Sequence, residues 1–147
     1  MNKVKKTHLP KIPRLFYQDI IEVIRKGQDV SSGDGNYLTQ VTWKDAPENL
    51  QNWCTENICD NIRWGVQSLT ANLPKHKDIE TECKFLYLVE TGGNNVATRY
   101  YNDNFDLISE YVLQMNIWYI IDTQTFHDVT GLEPGQTRIA ISGRIMP

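Results

Sequence analysis

The sequence predicts an α+β fold in which N-terminal helices pack on one face of a two-sheet antiparallel β structure. Three observations carry this. Helical spacing of apolar residues is confined to about the first sixty positions. From Arg63 onward the chain becomes a series of short segments rich in β-branched and aromatic residues, separated by turn residues at the interval expected of an antiparallel sandwich or barrel. Finally, 147 residues can bury one core without disulfides or structural metals, so one domain is expected over 1–147, with a helical support region at 1–62 and a β core at 63–147.

In chain order, RLFYQDIIEVIRKG places Leu15, Phe16, Ile20, Val23 and Ile24 at three- and four-residue spacings, and Lys26 and Gly27 supply a stop, which predicts a short amphipathic helix. SSGDGNY reads as a loop and YLTQVTW as a strand. APENLQNWCTENICDNI predicts a second helix whose first turn suits Pro47. IRWGVQSLTANL, CKFLYLVE, VATRYYN, DLISEYVLQM, IWYIID and TRIAISGRI then predict successive strands.

With 15 basic and 18 acidic residues the formal net charge is −3, and the basic residues are scattered. This supplies no electrostatic argument for nucleic-acid or membrane binding. The one cluster, Lys3, Lys5 and Lys6, reads as a solvated terminus. No apolar run reaches the length of a membrane span, and the first fifteen residues lack the apolar stretch of a secretory signal, so a cytoplasmic location is expected. Cys54, Cys59 and Cys83 show no metal-binding spacing and read as buried free thiols.

Two patterns carry chemistry. The first is His76-Lys77-Asp78. On an extended chain residues i and i+2 project to one side, so His76 and Asp78 could present an imidazole and a carboxylate to one ion, or form an ordinary polar turn. Of the other two histidines, His8 lies in the charged terminus, whereas His127 ends the apolar stretch NIWYIIDTQTFHDV, read as one strand crossing the same core. Two imidazoles and one carboxylate on one face suit non-haem iron(II) with open positions. The second pattern is TRIAISGRI, where Arg138, Ala140, Ser142 and Arg144 share one face and Ile139, Ile141 and Ile145 the other. An arginine followed by small neighbours leaves room for an organic acid, which its planar fork can hold bidentately; an edge strand with its arginines in water fits the alternation as well.

Together, HKD at 76–78, FHDV around His127 and GQTRIAIS at 135–142 resemble the iron(II)- and 2-oxoglutarate-dependent dioxygenases, whose signature is His-x-Asp, a distal His, and an Arg about ten residues later on the next strand. YLVETGGNNVATRYYN is similar to the prolyl-hydroxylase-like branch, in which a Gly-Gly turn introduces a strand carrying a Thr and an aromatic, here Gly92, Gly93, Thr98 and Tyr100. The resemblance covers roughly residues 63 to 145. It implies a double-stranded β-helix, or jelly roll, with Fe(II) held by His76, Asp78 and His127 and the distal carboxylate of 2-oxoglutarate held by Arg138. Tyr87 is the candidate for a tyrosine hydroxyl that assists the arginine in this family, against a place in the core, and Ser142 is the polar neighbour on the arginine's face. No catalytic side chain beyond the metal ligands is implied. The substrate, a protein side chain, a nucleobase or a small molecule, is left open. Arg144, the four tryptophans and Asp128 have plainer readings, as a solvated terminal arginine, as packing and as an exposed acid. Two other readings compete: a cupin-like metal-binding jelly roll that does not use 2-oxoglutarate, and a non-enzymatic β-sandwich for binding or assembly.

Overall fold

The computed structural model describes residues 2–26, 41–78 and 81–145. Its elements are β1 (Val4–Lys6), α1 (Tyr17–Lys26), β2 (Val41–Asp45), α2 (Glu48–Asn57), β3 (Trp64–Leu69), β4 (Leu73–His76), β5 (Cys83–Glu90), β6 (Ala97–Tyr101), β7 (Leu107–Tyr111), β8 (Trp118–Asp122), β9 (Phe126–Thr130) and β10 (Arg138–Ile145). The SSGDGNY loop, the Gly27 stop and the start of the YLTQVTW strand lie outside the described residues.

Among the described residues ten strands form two antiparallel sheets, one ordered β1-β8-β5-β10-β3-β2 and the other β4-β9-β6-β7. The helices lie on the six-stranded sheet. Phe16, Ile20, Leu50 and Cys54 share one core with Trp64, Phe85, Tyr87, Trp118, Ile139 and Ile141. α1 follows the predicted period, with Ile20 fully buried and Val23 and Ile24 packed beside it, but Leu15 falls in a preceding 3-10 turn and is 74% exposed. α2 ends early: the N–H groups of Ile58 and Cys59 both reach the Cys54 carbonyl, and Asn61 then takes a left-handed φ of 59°. Burial pushes the Cys54 thiol up to about 12, consistent with a packing role. The other face of the large sheet meets the small one through Leu86, Leu88, Tyr119, Ile121 and Ala140 against Tyr100, and through Leu69 against Leu73, Val96 and Val129.

Two sequence readings change here. The N-terminal lysines are not all solvated, because β1 pairs with β8, Val4 is buried, and the Lys3 ammonium lies 3.2 Å from the Asp122 carboxylate. The stretch NIWYIIDTQTFHDV is not one strand. It breaks at residues 123–125 into β8 of the large sheet and β9 of the small sheet. The Asp122 carboxylate accepts hydrogen bonds from the Gln124 N–H and the Thr125 hydroxyl, which turns the chain from one sheet to the other.

Candidate metal centre

His76 ends β4 and stands directly opposite His127 on β9. Their ring centroids are 4.3 Å apart, with planes inclined at 55°. Asp78, two residues beyond His76, closes the group: one carboxylate oxygen is 3.9 Å from His76 Nε2 and the other 3.9 Å from His127 Nε2. One ligand atom from each of the three residues lies within 4.8 Å of those of the others. Adjacent ligands of one ion, each about 2.1 Å from it, stand roughly 3 Å apart, so the 3.9 Å separations must close by about 1 Å, and the widest one by up to about 2 Å, to reach coordination distance.

The hydrogen bonds around the imidazoles decide what the nitrogens can do. His76 Nδ1 donates to the Pro74 carbonyl at 2.7 Å and His127 Nδ1 to the Thr125 carbonyl at 2.7 Å. A carbonyl only accepts, so each Nδ1 carries a proton, and in the neutral ring each Nε2 turns its lone pair toward Asp78. This is the arrangement in which backbone acceptors orient metal-binding histidines. Asp78 is pinned through its main chain: its N–H donates to the Thr123 carbonyl at 2.8 Å and its carbonyl accepts from Thr81 N–H at 3.3 Å. The Thr81 and Thr123 hydroxyls, 2.8 Å apart and buried, tie those two segments together. The β8–β9 corner therefore positions two of the three side chains. Burial, assisted by the neighbouring His76, lowers His127 from 6.5 to about 4, so it is neutral at physiological pH, the form in which an imidazole binds a metal.

Beside this group the two sheets enclose a cavity of about 100 Å³, walled by His76, Asp78 and His127 on one side and by Arg138, Ala140 and Ser142 on the other. The arginine is only 5% exposed, and burial pulls it down to about 10, still cationic at neutral pH. No carboxylate or other acceptor among the described residues meets its guanidinium. Thr98 of β6 also lines the cavity, and its hydroxyl is buried with no hydrogen-bond partner among the described residues. A buried cation and a buried orphan hydroxyl facing one void are costly unless a ligand meets them. Gly92, at φ 88°, lets the β5–β6 turn pass close to this wall, since a Cβ there would come within 3.3 Å of Arg138 Cβ and strike Leu132.

The structure thus brings His76, Asp78, His127, Arg138 and Ser142 around one cavity. Tyr87 is elsewhere, which corrects the expectation for it. It stands opposite Ile141, on the helix-covered face of the large sheet, where its hydroxyl lies 2.8 Å from that of Tyr17 and donates to Asn116 at 3.3 Å. Asp128 is also corrected. It points away from His127 but is 5% exposed, because Arg99 stands opposite it at 3.2 Å and Tyr101 donates to it at 2.8 Å. His8 is exposed and outside the group. Lys84 lines the cavity and was not foreseen from the sequence; its place in CKFLYLVE, between a cysteine and a phenylalanine, offers no signal.

No protein-family profile and no curated protein matches the sequence. Solved structures do share the fold. A Pseudomonas putida prolyl-4-hydroxylase aligns over 100% of this chain and 94% of its own, at 9% identity and a TM-score of 0.61. The non-haem α-ketoglutarate-dependent epimerase SnoN from nogalamycin biosynthesis aligns over 98% and 77%, at 9% identity and 0.64. Fe(II)-HppE, solved with the alternative substrate (S)-1-HPP, aligns over 79% of this chain at 9% identity and 0.52, and this chain spans 55% of its length. The architecture is the jelly-roll-like fold of such oxygenases.

Proposed function

We propose that this protein is an iron(II)- and 2-oxoglutarate-dependent dioxygenase, with His76, Asp78 and His127 holding the metal and Arg138 the distal carboxylate of 2-oxoglutarate. The observation that carries the reading is the pairing of a three-ligand group with a buried arginine that has no acceptor of its own among the described residues, both facing one cavity. A metal-binding jelly roll with no acid to bind leaves that buried cation unexplained. The fold shared with solved oxygenases supports the same class, though fold alone does not assign chemistry.

Ferrous iron bound here would supply dioxygen activation at the expense of 2-oxoglutarate, leaving succinate, carbon dioxide and an oxidised substrate. The chain's own part is binding and orientation. Two neutral imidazoles and one carboxylate occupy one face of an ion and leave the opposite positions open. Arg138 and the Thr98 hydroxyl would receive the far carboxylate of the cosubstrate, and Ala140 and Ser142 are small enough to leave its path clear. Apolar Leu69, Leu73 and Val129 complete the wall and would keep water from a bound chelate. The test is anaerobic titration of the protein with Fe(II) and then 2-oxoglutarate, with the weak visible charge-transfer band of the chelate as the expected result. Iron binding without that band would assign the site to another metal function.

A further inference from the structure

Two charged side chains of the cavity wall, Lys84 and Arg144, have no task in this scheme. Lys84 projects from β5 into the cavity, directly opposite Arg144 of β10 and Ile121 of β8. No carboxylate among the described residues forms an ion pair with it, and the acid that attracts it from a distance, Asp78, belongs to the metal group. Arg138 and Lys84 enter the cavity from opposite ends of β10. Lys84 lies at the Arg144 end of β10, and the backbones of Arg138 and Arg144 are roughly 20 Å apart along the strand.

Charge balance points the same way. The described wall carries Lys84, Arg138 and Arg144, the last with a further interaction of its own, against one carboxylate, Asp78. A divalent ion adds two positive charges and the 2-oxoglutarate dianion cancels two. Even without the exposed Arg144, Lys84 and Arg138 against Asp78 leave one positive charge in excess. Position adds a third argument: along β10 Arg138, Ala140 and Ser142 are buried whereas Arg144 is exposed, so of the two cations Lys84 lies at the end of the strand nearer solvent. Leu86 and Ile121, on the same face as Lys84, offer apolar contact beside the ammonium.

We infer that Lys84 anchors the substrate and that the substrate is a small organic acid with a hydrocarbon body, its carboxylate on Lys84 and its chain along Leu86 and Ile121; this rests on the dioxygenase reading above. The test is calorimetry on the full chain loaded with Mn(II) and saturated with 2-oxoglutarate, using hexanoate and its neutral counterpart hexanamide as probes. Hexanoate is expected to bind wild type at least tenfold more tightly than hexanamide. Lys84→Met, which suits the apolar neighbours, should abolish that preference, and Lys84→Arg should retain it. Wild type without a preference, or Lys84→Met with one, overturns the proposal. So does a loss of more than threefold in 2-oxoglutarate affinity in Lys84→Met, which would put the lysine on the cosubstrate. Failure of wild type to bind 2-oxoglutarate overturns the dioxygenase reading and this proposal together, whereas a missing hexanoate preference with 2-oxoglutarate bound overturns this proposal alone.

Discussion

His76 and His127 face each other across the β4–β9 pair, each donating Nδ1–H to the carbonyl two residues before it, so both Nε2 atoms converge on Asp78. The backbone, not the metal, fixes these tautomers. The orientation of the two rings is therefore set before any metal binds, and the three residues can be tested singly.

Asp78 supplies the only negative charge of the three, so Asp78→Ala should weaken Mn(II) or Fe(II) binding by more than about 100-fold, the upper end of what losing a mere supporting residue costs. Lys77→Ala is the control, because that side chain lies over the Phe126 ring at 4.4 Å and 3.7 Å from Asp103. Equal affinities in an anaerobic titration would remove Asp78 from the site.

The lowered His127 makes the metal-free protein acid-sensitive. In the unfolded chain a histidine takes up its proton near pH 6.5, whereas in the fold it does so only near 4. Between those values the unfolded state binds more protons, so stability is full above about pH 6.5 and is lost as pH falls toward 4, by at most roughly 3 kcal/mol. Urea denaturation of the metal-free protein across that window should show the decline, and His127→Gln should flatten its share of it.

Asp128 tests the neighbouring position for a structural role only. Asp128→Ala leaves the Tyr101 hydroxyl and the Arg99 guanidinium without their acceptor and should cost about 2 kcal/mol in chemical denaturation. Metal affinity should stay within threefold of wild type, since the carboxylate lies on the far side of β9 from the cavity.

How much of this was legible in the sequence depended on how each strand is covered. β10 could be read because its faces differ in kind, small and charged residues toward the cavity and isoleucines toward the helices. β5 could not. Helices cover one face, where Phe85, Tyr87 and Val89 lie, and the second sheet covers the other, where Leu86 and Leu88 lie, so both alternate sets are apolar. Nothing in CKFLYLVE then says which way a tyrosine or a lysine points, and Tyr87 and Lys84 were misplaced or overlooked for the same reason. β1 has one apolar residue in three, too little pattern to detect. The β8–β9 break was within reach, since Asp-Thr-Gln-Thr is a turn-forming run; the apolar residues on either side masked it.

Thr98 should show opposite effects on stability and binding. Thr98→Val keeps the shape and removes a buried hydroxyl that has no partner among the described residues, so the free protein should gain up to about 1 kcal/mol. Under the proposed function the same change would remove a donor to the cosubstrate, and 2-oxoglutarate affinity should fall about fivefold, on the order of 1 kcal/mol. Thermal unfolding without ligand and calorimetry with it give the two numbers, and an unchanged binding constant would exclude the hydroxyl from the cosubstrate site.

Arg138 separates 2-oxoglutarate chemistry from any other use of the same three ligands. Its guanidinium is buried and free of acceptors among the described residues, and Ala140 and Ser142 on the same face leave the slot between it and the metal group open. Arg138→Lys keeps the charge but replaces a planar fork with a point donor, which should cost on the order of 1.5 to 3 kcal/mol in cosubstrate binding. Metal affinity should stay near wild type, because the change leaves all three ligands and their hydrogen bonds in place. Ala140→Leu attacks the same step sterically. Ala140 is 3% exposed and central on β10, so the added carbons can only enter the slot, and 2-oxoglutarate should no longer bind although the metal does. Calorimetry on the metal-loaded variants checks both. If Arg138→Lys binds 2-oxoglutarate as well as wild type, the arginine serves the fold, and a metal site without this cosubstrate becomes the better account of His76, Asp78 and His127.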